Sequence, residues 1–301
     1  MGEHHHHHHK VSGKNLFITI ALNIVITVAQ ILGGIASGSL ALLSDAMHNF
    51  SDVLALFIAY FANKLASRPN SKDRTFGYKR AEILAALFNA SALIGIALFL
   101  VIEAIDKFMF PKPVNSLWVM GLGLLSIILN AASVLLIKDD AHDNMNIKAA
   151  YLHLLSDVLT SVAVVVGGIL IYFYQIYWVD PLISVIIAFY LVWASFDLIK
   201  ESSAILMQFT PKEVNLDELI KIIESEPLIK NVHHIHIWKL SDRQIHLEAH
   251  LDFNEDLPIS KTNELIDKLE HKLHDKFHIE HTTFQCEYDR DDNKDKIIGH
   301  N

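Results

Sequence analysis

Two stretches of the chain carry the same unusual pair of side chains. SDAMHNFSDVLAL holds His48 and Asp52, and YLHLLSDVLTSVAVV holds His153 and Asp157, each pair spaced i, i+4. On a helix such residues lie one turn apart on one face, so each stretch presents an imidazole beside a carboxylate. Facing each other, the pairs offer two nitrogen and two oxygen donors to one ion. That set suits tetrahedral Zn²⁺. Imidazole also accepts cobalt, nickel and iron, whereas the lack of thiolate disfavours copper(I). Two aspartates neutralise a divalent cation, which offsets the cost of taking its charge out of water. The same groups can take up protons when the metal leaves, because a free imidazole titrates near ~6.5. Both pairs sit in apolar stretches, where an ionisable group costs about 3 kcal/mol or more. A single such residue would be explained as glue between helices; the repeated pattern favours a metal site of His48, Asp52, His153 and Asp157. Asp45, one turn before His48, is expected to orient a ligand or to line the approach. Asn23, Asn49 and Asn130 read as interhelical hydrogen bonders, and Gly33-Gly34 and Gly167-Gly168 as points of close helix packing.

The elements that must hold these residues are membrane spans. A helix needs about 20 apolar residues to cross the hydrocarbon core. Six stretches qualify: Leu16–Ala36, Ser39–Ala62, Ala81–Ile105, Leu117–Ile137, Ile147–Tyr174 and Pro181–Ile199, each with approximate ends. Lys10 and Lys14 precede the first; Lys64, Arg68, Lys72, Arg74, Lys79 and Arg80 fill the link between the second and third. Lys138 and Lys148 lie between the fourth and fifth, and Lys200 follows the sixth. The opposite links hold Gly38-Ser39, Lys112, and YQIYW with no Lys or Arg. The positive-inside rule then predicts a multi-pass protein of the plasma membrane with both termini cytoplasmic.

Composition agrees. The 301 residues are 51% hydrophobic and 20% charged, with a mean hydropathy of +0.30. A change from apolar to polar sequence near Thr210-Pro211 marks a domain boundary. The net charge of -9 falls mostly beyond it and argues against nucleic acid, which calls for clustered Lys and Arg. One cysteine, Cys286, excludes an internal disulfide and a thiolate-rich cluster. No cleavable signal peptide is expected, since the apolar stretch from Leu16 is too long and lacks a small-residue cleavage pattern. The run His4–His9 reads either as an expression tag or as a native metal-gathering segment. The expected organisation is therefore a His-rich segment over 1–14, a transmembrane domain over 15–209, a cytoplasmic domain over 210–290, and a charged, disordered tail over 291–301.

In the cytoplasmic domain, Leu216–Ile223 has helical spacing and HHIHIWKL is strand-like. QIHLEAHLDF alternates, with Ile245, Leu247, Ala249, Leu251 and Phe253 on one face. Its polar face presents Gln244, His246, Glu248, His250 and Asp252. SKTNELIDKLEHKLHDKF forms an amphipathic helix around Leu265, Leu269 and Leu273, and HTTFQCEY is again a strand. The order αββαβ makes a small α+β fold. His271, His274 and His278 are expected on a solvated face.

SLALLSDAMHNFSDVLAL, FGYKRAEILAALFNA, HLLSDVLTSVAVV with the following WVDP, and HHIHIWKL with HTTFQCE together resemble the cation diffusion facilitator family, in its zinc-transporting branch of bacterial cobalt-zinc-cadmium resistance exporters. The resemblance covers roughly Lys14 to Tyr288. It implies an all-α six-helix transmembrane domain, a metallochaperone-like cytoplasmic domain, and a homodimer that exports zinc in exchange for protons, with cadmium and cobalt open as further cargo. It implies that His48, Asp52, His153 and Asp157 are the transport site. It also implies that His233, His250, His281 and Glu287 hold zinc in the tail, where a further family histidine corresponds to Asn263. Ser71, Arg74 and Tyr78 replace the ligands that some members carry between spans two and three, so that second site is expected to be absent. Arg80 matches a position that pairs in some members with an Asp locking the dimer; Met207 replaces the Asp, and Glu201 is the substitute at hand. An intramembrane metal hydrolase, the rival from another class, would need an open coordination position and a general base. Four ready ligands leave no such position, and no H-E-x-x-H occurs, so an enzyme is not expected. A membrane metal sensor that does not transport is the second rival, and proton-coupled flux would separate the two.

Overall fold

The computed structural model describes residues 13–137, 145–242 and 244–297. The His4–His9 run and Lys138 lie outside the described residues, as do the side chains of 13–20, 56, 59, 136–137 and 145–153, His153 among them. Six long helices come first: α1 (Gly13–Ser37), α2 (Leu40–Ala66), α3 (Ala81–Met109), α4 (Ser116–Ile137), α5 (Met145–Tyr174) and α6 (Val179–Leu206). Among the described residues four stretches are long and apolar enough to cross a bilayer: Ala81–Met109, Ser116–Leu135, Leu154–Tyr174 and Val179–Leu206. The apolar described part of α1, Ala21–Ser37, is shorter. Helix α2 falls short for a chemical reason, since Ser44, Asp45, His48, Asn49, Ser51 and Asp52 interrupt its apolar run.

These polar groups are turned inwards. Ser44, Asp45, His48, Asn49 and Ser51 are buried, while Phe57 and Tyr60 of the same helix are exposed. Leu32, Phe99, Ile102, Phe173 and Trp193 are likewise exposed on the other helices, the arrangement of a chain whose outer solvent is lipid. Helices outrun their expected ends: α2 reaches Ala66, α3 Met109 and α6 Leu206. A helix does not stop where hydrocarbon stops, but where the backbone is broken. For α2 the break comes just before Pro69, and for α6 at Gln208, whose φ is 58°. Gly38, with φ 68°, makes the left-handed turn between α1 and α2.

By their contacts the residues form two compact units, 1–60 with 88–198 and 61–87 with 199–301. The link between α2 and α3 and the end of α6 thus group with the C-terminal sheet. In the first unit Asp180, at the start of α6, caps α2: its carboxylate accepts from Ser39 Oγ at 2.5 Å, Leu40 N at 2.7 Å and Ala41 N at 3.2 Å. Lys107 of α3 donates to Gly38 O at 2.6 Å and lies 3.5 Å from Asp180. The expected close packing at glycines holds, as a Cβ on Gly33 would fall 1.8 Å from Leu122 and one on Gly167 2.4 Å from Ile183.

The second unit contains α7 (Leu216–Glu224), β1 (Ile229–Lys239), β2 (Ile245–Phe253), α8 (Ile259–Phe277) and β3 (Ile279–Glu287). The sheet order is β1-β2-β3; β1 and β2 are antiparallel, and α8 carries the chain over so that β3 runs parallel to β2. Asn215 starts α7 by accepting from Glu218 N at 3.2 Å. The alternating side chains Ile245, Leu247, Ala249, Leu251 and Phe253 are all buried, and Leu265, Leu269 and Leu273 of α8 join the same core. His271, His274 and His278 are exposed. Residues 291–297, expected as part of a disordered tail, instead run back along β1. His234 N donates to Asp295 O at 3.1 Å and Ile235 N to Lys296 O at 2.9 Å, satisfying backbone groups on what is otherwise an open sheet edge.

Candidate metal centres

The i, i+4 spacing on α2 sets His48 and Asp52 on one face, and α5 brings Asp157 to meet them. His48 Nε2 lies 3.2 Å from Asp157 Oδ1, and Nδ1 lies 3.6 Å from Asp52 Oδ2. The three donor atoms lie within 4.8 Å of one another, near enough to share one ion. His48 and Asp157 are buried, and Asp52 is half-buried at the rim. His153 stands on α5 one turn before Asp157, its side chain outside the described residues. Tyr190 of α6 sets its ring at right angles to His48, 6.2 Å between centroids, and shares a hydrogen bond of 2.7 Å with Ser156.

Asp45 bonds to side chains of two other helices. Its carboxylate accepts from Gln30 Nε2 at 2.6 Å, Thr160 Oγ1 at 2.9 Å and Ser161 Oγ at 3.0 Å. Asn49 donates to Gln30 Oε1 at 3.1 Å, and Ser161 is 2.8 Å from Ser126, to which Asn130 donates at 3.4 Å. The net ties α1, α2, α4 and α5 together beside the metal cluster. Thr160 Oγ1 is also 2.9 Å from the carbonyl of Asp157, so Asp45 reaches the cluster through Thr160 and the α5 backbone.

A second cluster lies in the C-terminal unit. His233 Nε2 is 3.4 Å from Glu287 Oε2 and 3.6 Å from Asp292 Oδ2, and His250 Nδ1 is 2.9 Å from Glu287 Oε1. His233 and His250 are register partners on β1 and β2, which sets their rings edge to face with centroids 5.2 Å apart. Of the residues expected here, three converge and His281 does not. The parallel register sets His281 opposite His246 and Glu287 opposite Asp252; with about 3.3 Å per strand residue, His281 is far down the sheet, its ring 4.9 Å from that of His246. Asp292 takes the fourth place. Lys294 lies 2.5 Å from Asp292, 3.2 Å from Glu287 and 3.8 Å from Asp252, and Arg290 lies 2.9 Å from Glu287. The hydrogen bond from Lys294 holds the Asp292 carboxyl below its ordinary range.

In the link between α2 and α3, Ser71 and Arg74 exchange backbone hydrogen bonds of 3.1 and 3.0 Å, and the Arg74 guanidinium covers the Tyr78 ring at 4.8 Å. These contacts close the link into a tight turn.

A family model described as the cation efflux transmembrane domain matches residues 16–207, and one described as the cation efflux protein cytoplasmic domain matches 211–289. The chain belongs to the cation efflux family. It is 36% identical over 273 residues to the cadmium, cobalt and zinc/H(+)-K(+) antiporter of Bacillus subtilis (strain 168), covering 90% of this chain and 88% of the relative. It is 37% identical over 274 residues to the metal cation efflux system protein CzcD of Cupriavidus metallidurans, with 91% and 86% covered. Against the zinc transporter ZitB of Escherichia coli (strain K12) it is 33% identical over 261 residues, with 86% and 82% covered.

Within this cation efflux protein the spacing of HxxxD pairs leads directly to the α2 and α5 cluster. Gln30, Thr160, Ser161 and Asp292 were not singled out by sequence. Thr160 and Ser161 carry a faint signal, being polar residues one turn after Asp157 in an apolar helix. Asp292 carries none, because it is one acid in the charged run DRDDNKDK.

Proposed function

We propose that this chain is a proton-coupled divalent metal exporter, an antiporter that moves zinc out of the cytoplasm by alternating access. The observation that carries the proposal is the convergence of His48, Asp52 and Asp157 between buried faces of two helices, with His153 as the fourth ligand. The printed names of the relatives support zinc with cadmium and cobalt as cargo and protons as counter-ion. The protomer has six spans, α1 to α6, both termini cytoplasmic, and works as a homodimer in the plasma membrane. Lys and Arg between α2 and α3 support that orientation.

Zinc, the substrate, binds as His48, Asp52, His153 and Asp157 lose protons, because metal ligands must be deprotonated. The close approach of His48 to both carboxylates, 3.2 and 3.6 Å, lets the same atoms hold either a proton or the ion. Rocking of the helices opens the site outwards, where protons compete the zinc away. Net export requires different affinities in the two states. With four protein ligands no coordination position is left for a hydrolytic water, so the enzyme reading is not favoured.

The tail cluster fits resident Zn²⁺. The buried His233 turns Nε2 towards Glu287 and Asp292, His250 turns Nδ1 towards Glu287, and two imidazoles with two carboxylates make a neutral zinc site. The ion would supply a cross-link there, with His233, His250 and Glu287 holding it.

Purified protein in proteoliposomes, with a zinc-sensitive and a pH-sensitive dye inside, tests the transport site. Zinc-driven proton movement is expected in the native protein and its loss in Asp157→Ala. Normal flux in that variant sinks the assignment.

A further inference from the structure

The segment after β3 is built into the tail cluster. Asp292 is not on the sheet, yet its carboxylate, that of Glu287 and the imidazoles of His233 and His250 bring their donor atoms within 4.8 Å of one another. His233 is fully buried, with both ring nitrogens lacking a hydrogen-bond partner among the described residues and Nε2 facing both acids. A buried imidazole whose nitrogens make no well-aligned hydrogen bond costs free energy unless an ion occupies the space between it and the acids it faces.

Two residues further on, Lys294 places its ammonium against Asp292, Glu287 and Asp252, while Arg290 leans on Glu287 from the other side. These cations neutralise the acids that a metal would neutralise. The same segment is fastened to β1 by the hydrogen bonds from His234 N and Ile235 N, and Lys296 donates to Val232 O at 2.9 Å.

We propose that residues 290–297 act as a tethered arm over the tail site, supplying Asp292 as the fourth zinc ligand and Lys294 as a built-in cation that zinc must displace. This rests on the tail cluster being a zinc site. Binding exchanges Lys294 for Zn²⁺ at the Glu287 and Asp292 carboxylates, leaving two neutral imidazoles and two carboxylates around a divalent ion. The ammonium, 29% exposed, swings to solvent. Two consequences follow from one short segment. Zinc pins the arm to β1 and so orders the C-terminus, and the affinity of the site is set by a competition in which ligand and competitor are covalently joined.

Hydrogen exchange of the full-length protein in detergent, read by mass spectrometry while ZnCl2 is titrated, separates this from the transport site because peptides are resolved locally. Peptides covering 229–240 and 288–297 are expected to gain protection together on zinc binding. In Asp292→Asn the half-saturating zinc concentration should rise about 10- to 100-fold, the loss seen when a metal site is stripped of one supporting partner. In Lys294→Met it should fall about two- to fivefold, the range for removing a partly exposed ion pair. If the native protein shows no zinc-dependent protection of 229–240, the tail site itself is refuted. If it does, but Asp292→Asn titrates like the native protein or 288–297 gains no protection, the arm is not a ligand. An unchanged titration in Lys294→Met removes the competing cation from the proposal.

Discussion

At the residue scale, the cluster of His48, Asp52 and Asp157 owes its form to a spacing and a neighbour. His48 and Asp52 share a face of α2 by helical geometry alone, whereas Asp157 reaches His48 only because α5 packs on α2. Thr160 is the side chain that fixes how α5 presents Asp157, standing 2.9 Å from both the Asp45 carboxylate and the Asp157 carbonyl. Thr160→Val keeps the shape and removes the hydroxyl. Zinc affinity at the transport site is expected to weaken about tenfold, the lower range for a group that orients a ligand, with export still measurable. Isothermal titration paired with proteoliposome flux would show it, and unchanged affinity would demote Thr160 to a helix-packing residue. Sequence pointed to Asp45 as well, but not to its partners. Being one turn from His48 is a statement about one helix, and Asp45 bonds to three side chains on two others.

At the scale of elements, Asp180 does for α2 what α2 cannot do for itself. The first N–H groups of a helix lack intrahelical acceptors, and in a membrane that deficit is costly. The WVDP stretch delivers a carboxylate from α6 to Ser39, Leu40 and Ala41, with Lys107 of α3 balancing its charge. Asp180→Asn keeps the size and loses the charge. A destabilisation of about 1–3 kcal/mol is expected, the value of hydrogen bonds to a charged group, read as a lower unfolding temperature in detergent. An unchanged temperature would mean that the cap contributes nothing. The β2-α8-β3 crossover matters as much for the tail. Parallel register places Glu287 opposite Asp252, two residues from His250, and His281 opposite His246, four residues from it.

At the scale of the molecule, two kinds of interior are present. The first unit hides polar side chains and shows apolar ones to lipid, while the second hides Leu219, Leu247, Leu251, Leu269 and Leu273 under a charged surface. The acids of the second unit make it sensitive to low pH. Glu226 is buried and bonded to Lys272 and to Lys268, the latter at 3.0 Å. The hydrogen bond from Lys272, ahead of that from Lys268, holds its carboxyl below the ordinary 4.5. A carboxyl with a lowered folded pKa binds fewer protons folded than unfolded, so its stabilisation is complete above 4.5 and disappears as the pH falls through the lower folded value. Protection factors of α7 and α8 amides, taken relative to the intrinsic exchange rate at each pH, should therefore fall in that window below 4.5 and stay flat above it. Glu226→Gln should remove the acid-dependent step, and a step that survives the substitution would place it on another group.

Sequence by itself determined the chemistry and the class of architecture. Apolar runs of span length dictate helices, because lipid leaves the backbone no other way to bond, and the i, i+4 pairs within them dictate an imidazole beside a carboxylate. Strict alternation in Ile245–Phe253 dictates which side of β2 is buried. Tertiary structure decided what periodicity cannot encode. It set which acid of DRDDNKDK reaches His233, since a charged run has no period and its placement depends on two backbone hydrogen bonds to β1. It set the removal of His281 from the tail cluster through the crossover register, and the binding of Asp45 to Gln30, Thr160 and Ser161 through the packing of three helices. Local rules fix which face a side chain occupies; only the packing of distant segments fixes what stands opposite.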